Sequence, residues 1–344
     1  MISAFDLSRF PRTTLAHLPT PLELTTIGAG LGIRVFVKRD DCTGLGLGGN
    51  KTRKLEFTLG DALSHDATLL ITSGARHSNH VRQTAAAAAR IGLRCQVVLH
   101  DPVERQTQFY AHSGNLLLDT LFGAEIHFVA SDEDATCRRI EALTHDANAA
   151  GENPYVVAAG ASDGIGALGY ANCAHELLVQ CARQNLTPSA VVLATGSGGT
   201  HAGLLGGLRS LGSGIPVIGI SVSESANIKR AKVWNILHEM IAKLGSDTVV
   251  PDSDIVVYDD YAGAGYSIPT PESHDAILRL ARNEGLLLDP VYTAKGIAGL
   301  LDLARRGTLS GDIVFLHTGG SPALFAYNDD FQRPDLYEKA PVSC

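Results

Sequence analysis

Residues 190–203 read AVVLATGSGGTHAG: six residues of strand character, a glycine-rich turn, and the start of a helix. Glycines at 196, 198 and 199 let backbone N–H groups converge, and a helix N-terminus adds a favourable dipole, so the segment is an anion cradle. A dinucleotide loop is the competing reading, with Glu224 after the next apolar run as ribose partner. The spacing departs from GxGxxG, however, because Gly199 adjoins Gly198 and the next glycine is Gly203. Outward from this stretch, short β-branched runs recur at VFVK (35–38), TLLIT (68–72), CQVVLH (95–100), EIHFVA (125–130), VIGISV (217–222) and IVFLHT (313–318). Helical segments lie between them, such as Ser78 to Gly92, opened by Ser78 and Asn79, and Asp132 to Ala149, opened by an acidic turn. Nearly continuous apolar strands alternating with helices predict an α/β protein whose parallel sheets are covered on both faces.

A length of 344 residues predicts about two domains. With 45% hydrophobic and 19% charged residues, the chain has the composition of a protein with a large core and not that of a disordered one. Basic residues number 28 and acidic 36, a net charge of −8 with no basic stripe, which disfavours a nucleic-acid partner. Apolar runs are interrupted by Arg, Asp or His well short of a membrane span, and Asp6, Arg9 and Arg12 stand where a signal peptide needs continuous apolar sequence. The expectation is a cytoplasmic protein with no membrane partner. Cys42, Cys95, Cys137, Cys173, Cys181 and Cys344 form no CxxC pair and read as reduced, mostly packing residues. Glycine clusters at 44–49, 160–169 and 196–199 are expected to mark close approach of backbone to a ligand.

Gly48-Gly49-Asn50-Lys51-Thr52-Arg53-Lys54 follows the 35–38 strand and opens a helix. As a Walker A loop it fails by one residue, since Asn50 intervenes between Gly49 and Lys51-Thr52. A desolvated lysine near other cations has a depressed pKa and becomes a nucleophile for a carbonyl, which points to Schiff-base chemistry at Lys51, with Lys54 one turn onward. The bland alternative is a solvated basic helix start, a placement that opposes the macrodipole unless an anion is present. A Schiff-base lysine together with a distant phosphate cradle implies a phosphate-bearing aldehyde cofactor, pyridoxal 5′-phosphate. A third segment, Ser73-Gly74-Ala75-Arg76-His77-Ser78-Asn79-His80, also joins a strand to a helix start. Its hydroxyl, amide and backbone donors suit a carboxylate, although capping by Ser78 alone would explain it. His77 and His80 have the i, i+3 spacing of metal ligands, but no third ligand is spaced nearby and no metal site is expected.

Taken together, PTPLE (19–23), KRDDCTGLGLGGNKTRKLEF (38–57), SNHVRQTAAAAA (78–89), GSGGTHAG (196–203), LLDPVYTAKGIAGL (287–300) and LHTGGSPALFAY (316–327) resemble one family across almost the whole chain. It is the pyridoxal-phosphate family of the tryptophan-synthase β fold (fold type II), in the branch of D-cysteine desulfhydrase, L-cysteate sulfo-lyase and 1-aminocyclopropane-1-carboxylate (ACC) deaminase. The resemblance implies two three-layer α/β/α domains with the cofactor between them: a large one from residues 1–51 and 166–344 and a small one from 52–165. It implies that Lys51 holds the cofactor as a Schiff base, that Lys54, Thr195 and the loop Gly196, Ser197, Gly198, Gly199 and Thr200 hold its phosphate, and that Asn79 bonds its ring hydroxyl. Thr318 would stand beside its ring nitrogen. Ser78, with Asn79 and His80, would meet the substrate. Tyr266 in YAGAGY and Tyr292 in DPVYT match the family's two active-site tyrosines, and a homodimer is implied.

Thr293 and Thr318 depart from the deaminase-like pattern, which has an acidic residue at the first position and an apolar one at the second. A hydroxyl cannot hold a pyridine nitrogen protonated as a carboxylate can, so Thr318 favours prompt loss of a good β-leaving group. Arg76-His77 stands where the branch usually has a small or apolar residue followed by Gln, and an arginine there offers a donor fork to a substrate anion such as a sulfonate. The expected function is β-elimination from a three-carbon sulfur amino acid, giving pyruvate, ammonia and sulfide or sulfite. ACC deamination, a binding protein that kept the fold and lost the chemistry, and a nicotinamide oxidoreductase are the alternatives.

Overall fold

The structure, a computed structural model, describes residues 6–105 and 107–331. The β-branched runs form strands, and among the described residues there are ten: β1 (Leu22–Thr25), β2 (Ile33–Lys38), β3 (Leu69–Ala75), β4 (Arg94–His100), β5 (Glu125–Val129), β6 (Pro154–Val156), β7 (Ala190–Thr195), β8 (Val217–Ser221), β9 (Val256–Tyr258) and β10 (Gly311–Leu316). The helices are α1 (Lys51–Ser64), α2 (Asn79–Ile91), α3 (Gln108–His112), α4 (Gly114–Leu121), α5 (Glu133–Ala149), α6 (Gly164–Arg183), α7 (Gly199–Ser210), α8 (Ala226–Leu244), α9 (Pro271–Glu284), α10 (Thr293–Arg305) and α11 (Ala323–Ala326). Ser78 caps α2 by accepting the Val81 N–H, and Gly92 closes it in the left-handed conformation; Asp132 caps α5.

Two sheets result. One runs β1-β2-β10-β7-β8-β9, parallel except for β1 at its edge; the other runs β5-β4-β3-β6 and is parallel throughout. Both faces of the larger sheet are buried, with alternate residues of each strand serving different layers. Val191, Leu193, Val314 and Leu316 pack under α6, α7 and α8, whereas Val192, Ile218, Ile313 and Phe315 pack under α9 and α10. In the smaller sheet Leu70, Val97 and Leu99 face α1, α2 and α4, and Ile71 and Val98 face α5.

Helix α1 joins the two bodies of packing. A Cβ on Gly169 of α6 would lie 2.2 Å from the Arg53 carbonyl oxygen, so only glycine lets the helices approach this closely. Beside that contact the buried Arg53 guanidinium donates to Asp40 at 2.8 and 2.9 Å and to Glu176 at 2.8 and 3.0 Å. Tyr170 donates to Asp40 at 2.6 Å, and Lys38 pairs with Glu176. Burial pushes the Asp40 carboxyl up, but Arg53 and Lys38 outweigh it and hold it below the usual range.

Three of the cysteines, Cys95, Cys173 and Cys181, are buried packing residues; Cys42 and Cys137 are exposed, and all five are free. Cys344 lies outside the described residues. Among those residues no helix is long and apolar enough to cross a membrane.

Candidate active site

In a parallel sheet every strand delivers its following loop to the same edge, and ligands bind outside the carboxyl ends. Here the carboxyl edges of both sheets supply one cavity of about 330 Å³. The large sheet contributes Gly196 and Ser197 after β7, Ser223 and Glu224 after β8, Tyr266 after β9 and Thr318 after β10. The small sheet contributes Ser73 to Ala75 from β3, His100 from β4, and Ala159 and Gly160 after β6. Asn50 and Lys51 open α1, Ser78, Asn79 and His80 open α2, and Tyr292 precedes α10. A wider groove of about 720 Å³ on the outside of α9 and α10 includes none of the residues expected in the site.

Lys51 is buried, and its ammonium nitrogen lies 5.4 Å from the centre of the Tyr292 ring. Burial lowers its pKa to about 8, with Arg82 acting in the same sense and Asp289 partly opposing. Lys54 is completely buried; its amine donates to Ser162 Oγ at 2.9 Å and to no carboxylate among the described residues. Burial and the neighbouring Lys51 push its pKa well down. Two uncompensated amines in the first turn of α1 oppose its dipole, an arrangement that calls for an anion.

The glycine-rich turn after β7 leads directly into α7. Gly198 is the N-cap of α7 with φ +90°, Ser197 Oγ lies 2.7 Å from Ser162 Oγ, and the Thr195 hydroxyl is buried with no hydrogen-bond partner among the described residues. Thr200 accepts a hydrogen bond from the Asn50 amide at 2.8 Å, tying the cradle to the start of α1. Tyr292 Oη accepts the Gly196 N–H at 2.9 Å, and burial pushes the phenol pKa up. Asn79 accepts a bond from Asn115 through Oδ1, which fixes its amide and leaves the Nδ2 donors free of that contact.

Several expectations are corrected by position. Arg76 does not line the cavity: its Nε donates to Asp101 at 2.6 Å and the guanidinium lies 4.5 Å from the centre of the Phe128 ring. His77 is also outside, buried with Nε2 donating to the Tyr110 carbonyl and its ring against Tyr110 and Tyr327. His80 borders the cavity, but Thr72 Oγ1 lies 2.8 Å from Nε2 and Thr84 Oγ1 lies 3.4 Å from Nδ1, so its ring has no donor to spare for a ligand. The glycines at 44–49 serve packing, not a ligand, since a Cβ on Gly48 would fall 1.9 Å from the Asp41 carbonyl oxygen. Glu224 does line the cavity, but Lys229 and Lys232 each hold it at 2.6 Å, so its carboxylate is not free for a ribose. Thr293 is turned into the protein, donating to Asp289 at 2.6 Å.

Sequence reasoning missed Ser162, His100, Asn50 and Asp289. Ser162 lies inside GASDGIGALG, a cluster whose glycines drew notice while its serine did not, and the DPVY stretch carried Asp289 beside the tyrosine that was singled out.

The deciding comparison is that residues 13–319 match the sequence profile of the family described as "Pyridoxal-phosphate dependent enzyme". The chain belongs to that family. The D-cysteine desulfhydrase of Yersinia enterocolitica is 46% identical over 325 residues, covering 94% of this chain and 97% of that protein. The crystal structure of an ACC deaminase homologue superposes with a TM-score of 0.86 at 39% identity, over 94% of this chain and 96% of that one. A hydrogen sulfide-producing enzyme from Fusobacterium nucleatum shares the fold alone, with a TM-score of 0.63 at 16% identity over 89% of this chain and 94% of that one. The fold is therefore the type II pyridoxal-phosphate fold, and pyridoxal 5′-phosphate is this family member's cofactor. The residues present fit that group. Among the described residues, a reactive amine at Lys51, a buried amine at Lys54 with no carboxylate partner and a buried hydroxyl at Thr195 with no hydrogen-bond partner are what a phosphate-bearing aldehyde would satisfy.

Proposed function

We propose that this enzyme is a deaminating carbon–sulfur lyase that eliminates the β-substituent of a three-carbon amino acid, with D-cysteine as the leading substrate and pyruvate, ammonia and sulfide as products. The observation that carries the reading is the Lys51 amine, buried, bonded to no carboxylate among the described residues, and sharing its cavity with the hydroxyl and amide donors of Ser78, Asn79, Tyr266 and Tyr292. Pyridoxal phosphate, when bound, supplies an electron sink for negative charge at Cα. Lys54, Ser162, Ser197 and the N-terminus of α7 would hold its phosphate, and Asn79 would donate to its ring hydroxyl. The N-terminus of α2 holds the substrate carboxylate. Lys51, whose amine loses its proton more readily because it is buried, takes the Cα proton. Ser78, Tyr266 and Tyr292 are the hydroxyls available to move protons during departure of the leaving group.

A thiolate leaves without strong acid assistance, and among the described residues the cavity wall offers no free carboxylic acid: its one carboxylate, Glu224, is held by two lysines, and Thr318 brings none. That argues against the opening of a strained ring, as ACC deamination requires. The homologue's name supports the thiol substrate. The family resemblance supports a homodimer, and the five free cysteines fit a reducing cytoplasm.

The test is a panel of D-cysteine, L-cysteine, D- and L-cysteate, β-chloroalanine and ACC, with pyruvate and 2-oxobutyrate assayed. Fastest pyruvate release is expected from D-cysteine. A cofactor-loaded sample that releases pyruvate from none of the panel, or that turns over ACC at the rate of cysteine, overturns the reading.

A further inference from the structure

Lys295 is fully buried in the first turn of α10, three residues after Tyr292, where a positive charge opposes the helix dipole. No carboxylate among the described residues is bonded to it. Its amine donates instead to three backbone carbonyls, Ala262 at 2.7 Å, Gly265 at 2.9 Å and Val222 at 3.4 Å. Three donors meet three acceptors, so the ammonium is saturated by main chain alone, as a bare monovalent cation is when carbonyl oxygens replace its water.

Each of those carbonyls belongs to a segment that delivers a residue to the cavity. Val222 precedes Ser223 in the wall after β8, Gly265 precedes Tyr266, and the lysine's own helix begins after Tyr292. The loop needs such a hold. Gly265 has φ +146° and Ser267 φ +64°, so the backbone on both sides of Tyr266 sits in the left-handed half of conformational space, costly for serine. Tyr327 Oη donates to the Ser267 carbonyl at 2.8 Å and pins the far side of the loop. The near side is held by Lys295.

We propose that Lys295 is a positioning residue whose ammonium acts as a tethered monovalent cation, gathering the carbonyls of Val222, Ala262 and Gly265 so that Tyr266 is held in register with Tyr292. Removing the amine leaves three converging carbonyls with a cation-sized space between them. An added ammonium or potassium ion then takes the place of the side chain. That the two tyrosines act on the substrate rests on the function proposed above; that Lys295 sets their loop does not.

The experiment uses holoenzyme carrying Lys295→Ala, which opens the space, or Lys295→Met, which fills it without charge. It measures hydrogen exchange of the peptide spanning 259–268 and kcat and KM on D-cysteine, in choline, ammonium or potassium chloride at equal ionic strength. Both variants are expected to keep the visible absorbance of bound cofactor, to exchange faster at 259–268, and to lose kcat by about 10- to 100-fold with a smaller change in KM. Ammonium or potassium, but not choline, is expected to restore protection and kcat in Lys295→Ala and to do nothing for Lys295→Met. Unchanged exchange at 259–268 in Lys295→Met, or loss of protection throughout the protein with no response of Lys295→Ala to ammonium, overturns the proposal. If the wild-type enzyme turns over none of the substrates while the exchange pattern and its rescue appear, the proposed function fails and the positioning role stands.

Discussion

Lys51 Nζ stands 5.4 Å from the centre of the Tyr292 ring, whose hydroxyl is anchored to the Gly196 N–H. The Lys51 amine, a phenol and the first residue of the glycine-rich turn after β7 are thereby placed by three different elements at one point. Because burial lowers the Lys51 pKa to about 8, about a tenth of the amine is neutral at pH 7, against less than a thousandth for an ordinary lysine. The neutral form is the nucleophile. The rate of cofactor uptake by apoprotein, followed by visible absorbance, is therefore expected to rise close to tenfold per pH unit below about 8 and to level off above it. A rate still climbing at pH 10 would contradict the depressed pKa.

Lys54 makes opposite contributions with and without cofactor. In the apoprotein its buried amine has the Ser162 hydroxyl as its one hydrogen-bond partner among the described residues and no bonded carboxylate, so Lys54→Met is expected to raise the apoprotein's thermal midpoint. With Lys54 holding the phosphate as proposed, the same change in the holoenzyme would remove a charge-assisted bond worth about 1.5–3 kcal/mol, roughly 10- to 150-fold in affinity. Thermal melts with and without pyridoxal phosphate check both signs, and a variant less stable in both states would mean that Lys54 is a packing residue.

The strands of the large sheet were legible because they are buried on both faces: all six residues of β7 are buried, which is what an uninterrupted apolar run encodes. β1, β6 and β9 escaped notice because LELT, PYV and VVY are short edge strands with little burial to write a pattern. Within the site, Lys51 and the Gly196 loop announced themselves by glycine and charge at helix starts. Lys295 did not, since its three partners are carbonyls, and a carbonyl is the same at every residue type. Arg76 misled for the complementary reason. Its place beside the Ser78-Asn79 pair was readable, but Asp101, which draws it away, is 25 residues further on.

Arg76 offers a check on that correction. Paired with the partly exposed Asp101 and stacked on Phe128, it contributes about 1 kcal/mol or less to stability. Arg76→Ala is expected to lower the denaturation midpoint slightly and to change turnover of cysteate and of β-chloroalanine by the same small factor. A loss confined to the sulfonate would return Arg76 to the substrate.

The cluster of Arg53, Asp40, Glu176 and Lys38 sets the seating of α1, and with it Lys51 and Lys54. Burial raises the carboxyl pKa of Asp40 and of Glu176, but Arg53 and Lys38 outweigh it and leave both below the ordinary range. Such a group binds fewer protons folded than unfolded. The stability it contributes is thus present above the unfolded value near 4 and is lost as pH falls through the folded value. Removing Arg53 strands Asp40 with a fully buried charge, at a cost of about 3–5 kcal/mol. Urea unfolding of Arg53→Met is expected to show that loss at pH 7, together with weaker cofactor binding as α1 loosens. The carboxyls of the variant lose Arg53's share of that depression while keeping the share of Lys38, so its deficit relative to wild type is expected to shrink between pH 5 and pH 3 as they take up protons. A deficit that stays constant across that range would show that Arg53 stabilises α1 by packing and not by charge.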